Sequence, residues 1–318
     1  MISVIVPFSN SKKYIKKSLL SIINQSLKKD LYELIAINNN SYDGTTNIVK
    51  KILKNHNNCK LLSLKSKIPS PGLARNLGVK KAKYKYIYFI DSDDLLDRNA
   101  LLILFNKIKF NKKVDLICNN YKIIDLAKNL KKKNRFDLSF FTMNKKNIIE
   151  NYLNTSIIPQ VVSNLISKKI LIKNKITFFK GIHEDIFYFF KILFYAKNII
   201  IEKKKIYKKI NNKDSLVNKI TKHNIKYCAL GYDKCYNFLK KENFLSKTRL
   251  LKLHIYGKIG VISALILKIK KTKMLVNYKK KLNNLIYKTF LKFYISIPKS
   301  YKFKTRKDLI IKNFFSKI

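Results

Sequence analysis

Four short, largely apolar runs at residues 2–6, 34–37, 60–64 and 86–90 alternate with stretches whose apolar residues recur at helical spacing, and this alternation limits the fold more than any other feature. Pro7 and Asn10 close the first run, and Tyr14, Ile15, Leu19, Ile22 and Ile23 then mark one helix face up to a polar break near Ser26. Residues 38–44 read as a polar turn, 45–53 as a helix, Pro69, Pro71 and Gly72 as a loop, and 74–83 as a short helix. Strands that show little polar alternation are covered on both faces, so the expected fold is α/β, a Rossmann-like and mostly parallel sheet with helices on both sides. Ligands of such sheets bind beyond the carboxyl ends of the strands. Asn38 and Asp91 stand there.

Residues 115–119 add one more expected strand, after which the pattern loosens. A basic run at 128–135 reads as a solvated face, no period is clear before 147, and weak elements resume from 148 to 207. From about Lys219 the chain reads as all-helical, with segments at 224–240, 247–269 and 274–294. Three segments are expected: an α/β half over 1–125, a more loosely patterned half over 126–218, and a basic helical region over 219–318.

Composition narrows the partners. Lys+Arg 69 against Asp+Glu 18 gives +51, and 47% hydrophobic residues is ordinary for a chain with a core. Disordered and fibrous classes are disfavoured, and polyanionic partners are favoured. Abundant Lys, Asn and Ile also follow from an AT-rich genome, so the few carboxylates are more informative than the many lysines. Cys59, Cys118, Cys228 and Cys235 have neither disulfide-scaffold nor zinc-ligand spacing and read as reduced intracellular thiols. The N-terminus reads as a strand and not as an export signal. The longest apolar stretch, 259–267, falls short of the ~20 residues of a spanning helix.

Asp91-Ser92-Asp93-Asp94 follows directly on the run at 86–90. Carboxylates at i and i+2 on a turn leaving a strand can converge on one hard cation, and such a cation with open positions holds a diphosphate. The same four residues also suit a turn that merely ends the strand, with Asp94 as the N-cap of the next helix.

Gly72-Leu73-Ala74-Arg75-Asn76-Leu77-Gly78, followed by Tyr86-Ile87-Tyr88-Phe89-Ile90-Asp91-Ser92-Asp93-Asp94, resembles the centre of family 2 glycosyltransferases of the GT-A fold. Val4-Ile5-Val6-Pro7-Phe8-Ser9-Asn10 is similar to that family's first strand and nucleotide turn, and residues 14–26, ending Asn24-Gln25-Ser26, to its first helix. Gly181-Ile182-His183-Glu184-Asp185-Ile186-Phe187 is similar to its Glu-Asp motif, and Tyr207 and Ser215 to a loose late one. The resemblance covers residues 1 to about 215. It implies that Asp93, with Asp91, holds Mn²⁺ or Mg²⁺ against the donor's phosphates, that Arg75 adds positive charge, and that Pro7, Phe8, Asn38, Asn39 and Asn76 belong to the nucleotide side. Asp185 is implied as the general base, with Glu184 beside it in the substrate pocket. His183 reads as an exposed loop residue.

Two departures stand out. Asn38 replaces the usual aspartate that accepts a hydrogen bond from uracil N–H, and its amide offers an uncharged acceptor or a donor. Ser9 stands where an aromatic ring commonly stacks near the base, so that contact is either lost or taken over by Phe8. The leading expectation is a cytoplasmic, membrane-peripheral, inverting transferase moving a sugar from a nucleoside diphosphate, UDP first, to a cell-surface glycan or lipid-linked acceptor. The lysines and aromatics of the tail, Lys268, Lys270, Lys271, Lys273, Lys279, Lys280 and Lys281 with Tyr278, Tyr287, Phe290, Phe293 and Tyr294, suit an anionic membrane surface or, alternatively, a solvated helical core. A nucleic-acid-binding protein is the competing class for +51, but the basic residues form no single stripe. An inactive donor-binding scaffold is the third reading.

Overall fold

The computed structural model describes residues 1–66, 70–111, 113–125, 130–132, 137–211, 221–271, 276–295, 297 and 306–316. Pro69, most of the basic run at 128–135, Ser215, Lys219 and Lys273 fall outside them. The chain forms two compact units: Met1–Ile148 with Pro159–Lys180 and Tyr188–Lys213, and Ile149–Ile158 with Gly181–Phe187 and Asp214–Ile318. Both are assembled from separate stretches, whereas the expected segments were continuous.

The first unit holds a nine-stranded sheet. Its strands are β1 (Ile2–Phe8), β2 (Tyr32–Asn38), β3 (Cys59–Ser63), β4 (Tyr86–Phe89), β5 (Leu95–Leu96), β6 (Leu116–Asp125), β7 (Leu130–Lys132), β8 (Leu165–Ser167) and β9 (Ile199–Ile210). The order is β3-β2-β1-β4-β8-β6-β9-β5, with β7 on β6. The helices are α1 (Ile15–Ile23), α2 (Thr45–Leu53), α3 (Pro71–Lys81), α4 (Ala100–Phe110), α5 (Lys145–Leu153), α6 (Lys168–Lys173) and α7 (Asp185–Tyr195), of which α5 and α7 contribute residues to both units. From β3 to β4 the pairing is parallel, as expected. Beyond β4 the sheet is mixed, since β8 runs antiparallel to both β4 and β6. Buried on the sheet, three-residue β8 carries no alternation that would reveal its direction.

Every residue of β1 is buried, which makes it the centre of the core. Each large aliphatic side chain so buried contributes about 1.5–3 kcal/mol. β4 leaves β1 after Phe89, opposite Ile5, so Pro7, with no N–H to donate, sits where β1 keeps only β2 as a partner. Helix α3 begins earlier than its apolar spacing suggests. Ser70 caps it by accepting the Leu73 N–H at 3.4 Å, and Pro71 takes the first turn, where a missing donor costs nothing. Gly78 lets α3 lie close on the sheet, because a Cβ there would stand 2.5 Å from Ile5 and 2.8 Å from Ile37. At the amino ends of the strands, Glu33, 1% exposed, accepts from Ser3 Oγ and the Lys83 N–H, both at 2.7 Å, and pairs with Lys60 at 3.1 Å.

The second unit is helical, with α8 (Lys222–Glu242), α9 (Lys247–Lys271), α10 (Val276–Ile295) and α11 (Arg306–Phe315). Arg249 grips Glu150 through two nitrogens at 3.0 and 2.6 Å. Lys258 pairs with Asp233 at 2.7 Å, while burial and then Lys258 push the neighbouring His254 down to about 4 and leave it neutral at pH 7. Phe290 and Phe293 are buried, and Tyr294 stacks on Phe315 at 4.4 Å, so these rings of the expected membrane face belong to the unit's own core. One helix among the described residues, Lys247–Leu267, is long and apolar enough to cross a membrane by length and composition, contrary to the expectation drawn from 259–267 alone. More than half of its most apolar window, 56%, is buried inside the protein. Leu250, Leu253, Ile262 and Ile266 pack as in a core helix.

Candidate active site

Beyond β4 the chain turns through residues 91–94, and the Asp94 N–H donates to the Asp91 carbonyl at 3.1 Å. Asp91 is held by three elements. Arg75 Nη2 on α3 donates to its Oδ1 at 2.7 Å, Ser18 Oγ on α1 donates to its carbonyl at 3.4 Å, and its own N–H donates to Tyr207 Oη on β9 at 3.3 Å. Among the described residues Oδ2 has no donor, and the side chain is 33% exposed. Asp93 is half-buried. Ser92 Oγ shares a hydrogen bond with Ser11 Oγ at 2.8 Å, joining this turn to the one after β1.

Asp94 does not cap a helix. The next helix starts at Ala100, and Asp94, 1% exposed, accepts Tyr207 O–H at 2.6 Å and the Ile210 N–H at 2.8 Å. Burial first, then the charges of Asp91 and Asp93, push its carboxyl well above the usual range, against the pull of those two donors. The turn is thus a place where carboxylates crowd one another, with the Arg75 guanidinium set against Asp91.

The other expected donor-side residues divide into two groups. Arg75 is buried, 5.5 Å from the Phe178 ring, and its charge faces the Asp91 turn. Asn38 is half-buried at the end of β2, with Oδ1 accepting the Ser41 N–H at 2.9 Å. The rest are bonded to backbone or buried in a strand. Asn76 donates to the Phe178 carbonyl and accepts the Phe178 N–H, both at 2.9 Å, which leaves one N–H and one lone pair of its amide uncommitted. Asn39, 2% exposed, accepts the Ser70 N–H at 3.3 Å, and its own N–H donates to the Phe8 carbonyl at 2.8 Å. Pro7 is buried in β1 and Phe8 is 2% exposed, so the Phe8 ring cannot replace the aromatic missing at Ser9. One contributor and one pairing were missed from sequence. Ser70 carries a readable signal, a Ser-Pro helix start, whereas Tyr207 was noted only as part of a loose late motif and its bond to Asp94, 113 residues away, has no local signal.

The residues present fit a hard divalent cation. Asp91 Oδ2 and the Asp93 carboxylate are hard oxygen donors, and their charges already raise the pKa of buried Asp94. Among the described residues no three His, Cys, Asp or Glu side chains close into a cage. The fit is therefore to an ion held by few protein oxygens, with positions left for phosphate oxygens and water.

In the second unit Glu184 is buried, 6% exposed, and half-buried Asp185 opens α7, where the helix dipole favours its negative charge. Gly181 holds φ at +143° before it, and a Cβ there would stand 2.5 Å from the Tyr227 ring, so the entry to this helix needs glycine. His183 is half-buried and also left-handed, at φ 59°. Tyr152, fully buried, donates to the Ile186 carbonyl at 2.5 Å. Burial, then Cys235, Tyr232 and Asp185, raises its pKa well above the ordinary tyrosine value.

The family model for Glycosyl transferase family 2 matches residues 3–178, more than half of the chain. The chain belongs to that family. Poly(ribitol-phosphate) beta-N-acetylglucosaminyltransferase TarP of Staphylococcus aureus is 32% identical over 205 residues, covering 63% of this chain and 60% of TarP. Cholesterol galactosyltransferase of Borreliella burgdorferi is 27% identical over 207 residues, covering 62% of this chain and 56% of that enzyme. The matched part thus spans little more than half of these relatives. The S. aureus TarS 1–349 structure in complex with UDP-GlcNAc superposes with a TM-score of 0.59 at 20% identity, covering 98% of this chain and 79% of that one. Mannosyltransferase PcManGT of Pyrobaculum calidifontis, in complex with GDP-Man and Mn²⁺, gives a TM-score of 0.54 at 14% identity, covering 99% of this chain and 86% of that one. The chain shares its GT-A fold with these structures. They hold different nucleotides, so the fold alone does not fix the base.

Proposed function

We propose that this family 2 chain is a metal-dependent, inverting glycosyltransferase that moves a hexosyl or N-acetylhexosaminyl group from a UDP-sugar to an anionic cell-surface glycan or its lipid-linked precursor. The observation that carries the reading is the Asp91 turn. Asp91, held by Arg75 at its carboxylate and by Ser18 and Tyr207 at its backbone, keeps one carboxylate oxygen with no donor among the described residues and stands at the carboxyl end of a parallel strand, two residues before Asp93. In this reading residues 1–125 are the nucleotide-sugar-binding half, 126–218 the acceptor-binding half with the Glu-Asp motif, and 219–318 the basic helical region.

Asp91 and Asp93 would hold Mn²⁺ or Mg²⁺, which when bound neutralises charge developing on the leaving diphosphate. Arg75 sets the rotamer of Asp91 and keeps the turn from being wholly negative. Asp185 takes the proton of the acceptor hydroxyl, and Glu184 shapes the pocket around it. A single displacement needs one base and no protein nucleophile, which is why inversion is proposed. TarP and the other relatives named for poly(ribitol-phosphate) motivate a phosphate-bearing acceptor, which +51 would attract. Lipopolysaccharide and capsular glycans are further members of the same acceptor class.

The base is the point of departure from the usual pattern. Asn38 Oδ1 already accepts the Ser41 N–H, so a uracil N–H would meet an uncharged oxygen with one lone pair left. UDP with Mn²⁺ is expected to bind in calorimetry, UDP-sugars are expected to be hydrolysed slowly without acceptor, and Asn38→Asp is expected to tighten UDP about 5-fold, as a charge-assisted bond replaces a neutral one. No binding of any nucleoside diphosphate sinks the transferase reading. Binding without hydrolysis or transfer favours the scaffold, and unchanged UDP affinity in Asn38→Asp places the base elsewhere.

Peripheral association with the cytoplasmic face of a membrane is proposed on charge alone, because Phe290 and Phe293 are buried. Lys280 and Lys281 are exposed, and each lysine near an anionic surface contributes about 1 kcal/mol. The full chain should float with anionic vesicles at low salt and be released at high salt. Equal recovery with neutral vesicles overturns this.

A further inference from the structure

Tyr207 is buried in β9, paired in register with Leu96 of β5 and Tyr121 of β6, and the chemistry proposed above gives it no task. Its hydroxyl does two things at once. It accepts the Asp91 N–H at 3.3 Å and donates to Asp94 Oδ2 at 2.6 Å, while the Ile210 N–H holds the other Asp94 oxygen at 2.8 Å.

We propose that Tyr207 is a positioning residue for the cation site, fixing the peptide plane from which Asp91 presents Oδ2. The inference rests on Asp91 and Asp93 being the cation's ligands. Carboxylates bind a metal well only when an outer layer of hydrogen bonds has already placed them. Around Asp91 that layer is divided by direction. Arg75 fixes the carboxylate at Oδ1, the Asp94 N–H and Ser18 Oγ fix the carbonyl, and among the described residues Tyr207 alone fixes the N–H. Asp94 cannot turn away from Tyr207, because Ile210 anchors it from the same strand. A phenol suits the place because its oxygen accepts and donates while its ring, packed in the sheet, has little freedom to move. Phenylalanine keeps the ring and loses both bonds, leaving the Asp91 N–H and one Asp94 oxygen without their partner.

The test is Mn²⁺ titration of the full chain, followed by electron paramagnetic resonance, with melting curves and sugar transfer measured on the same samples. Tyr207→Phe is expected to weaken Mn²⁺ binding at least 10-fold, and excess Mn²⁺ is expected to restore most of its turnover. Leu96→Ala, which loosens the same strand pair but leaves the Asp91 bonds, is expected to melt earlier with Mn²⁺ affinity unchanged. Asp94→Asn is expected to follow Tyr207→Phe. Unchanged Mn²⁺ affinity in Tyr207→Phe, or an equal loss in Leu96→Ala, overturns the proposal. Loss of the fold in both Tyr207→Phe and Asp94→Asn also overturns it, since the pair would then be structural. If Asp93→Asn abolishes Mn²⁺ binding while Tyr207→Phe does not change it, only the positioning role falls. A wild-type chain that binds neither Mn²⁺ nor Mg²⁺ takes the cation reading down with it.

Discussion

Asp93→Asn is expected to cut sugar transfer by about 10² or more, because several kcal/mol of charge stabilisation on the leaving diphosphate would go with the ligand, and each 1.4 kcal/mol is tenfold in rate. The fold should survive. Asp93 is half-buried within the turn, asparagine keeps its shape, and the bonds that Asp91, Asp94 and Tyr207 make with one another do not involve its side chain. Chelation of the wild-type chain should reproduce the loss and added Mn²⁺ should reverse it. Circular dichroism and transfer assays on the same preparations decide the matter, and full activity in excess EDTA removes the assignment.

That turn also shows what can be read from a sequence of this kind. β1, β2 and β4 were visible because both faces are covered, which leaves runs such as Tyr86–Phe89 with no polar interruption. Helices α1 and α2 were visible because one face of each is apolar. β9 was not, since exposed Lys203, Lys204 and Lys205 interrupt it while Ile206 and Tyr207 beside them are fully buried. β5 has two residues and exists only because β9 pairs with it. Asp94 belongs with these: its position after a strand suggested a helix cap, and only the return of the chain 113 residues later gives it a different partner. Local spacing therefore located the carboxylates without separating the one that ties the sheet from those that face outward. Asn76 is the converse case. Its place in a helix beside Arg75 suggested a ligand contact, and a backbone 102 residues away uses both ends of its amide.

Asp185→Asn is expected to lower transfer to acceptor by about 10² or more, as removal of a general base typically does over a range of 10² to 10⁴. Nucleotide binding should hardly change, because asparagine keeps the shape of the side chain and removes only its ability to take a proton. Between the two acids, half-buried Asp185 is the better placed to meet a substrate hydroxyl, and Glu184, 6% exposed, the worse. The measurement is transfer against donor hydrolysis in parallel for Asp185→Asn and Glu184→Gln. A crippled Glu184→Gln beside a mild Asp185→Asn reverses the two roles, and two mild variants move the base elsewhere.

Glu33 lies at the opposite edge of the sheet from the Asp91 turn, and it gathers β1, β3 and the segment after α3 around one buried carboxylate. Anchorage of the parallel strands is therefore concentrated away from the loops at their carboxyl ends. Half-buried Asn38 and the exposed turn residues after it are thereby left more room to change than the strands that carry them, whereas buried Asn39, tied to Ser70 and Phe8, is not. Adaptability at one edge of the sheet follows from rigidity at the other.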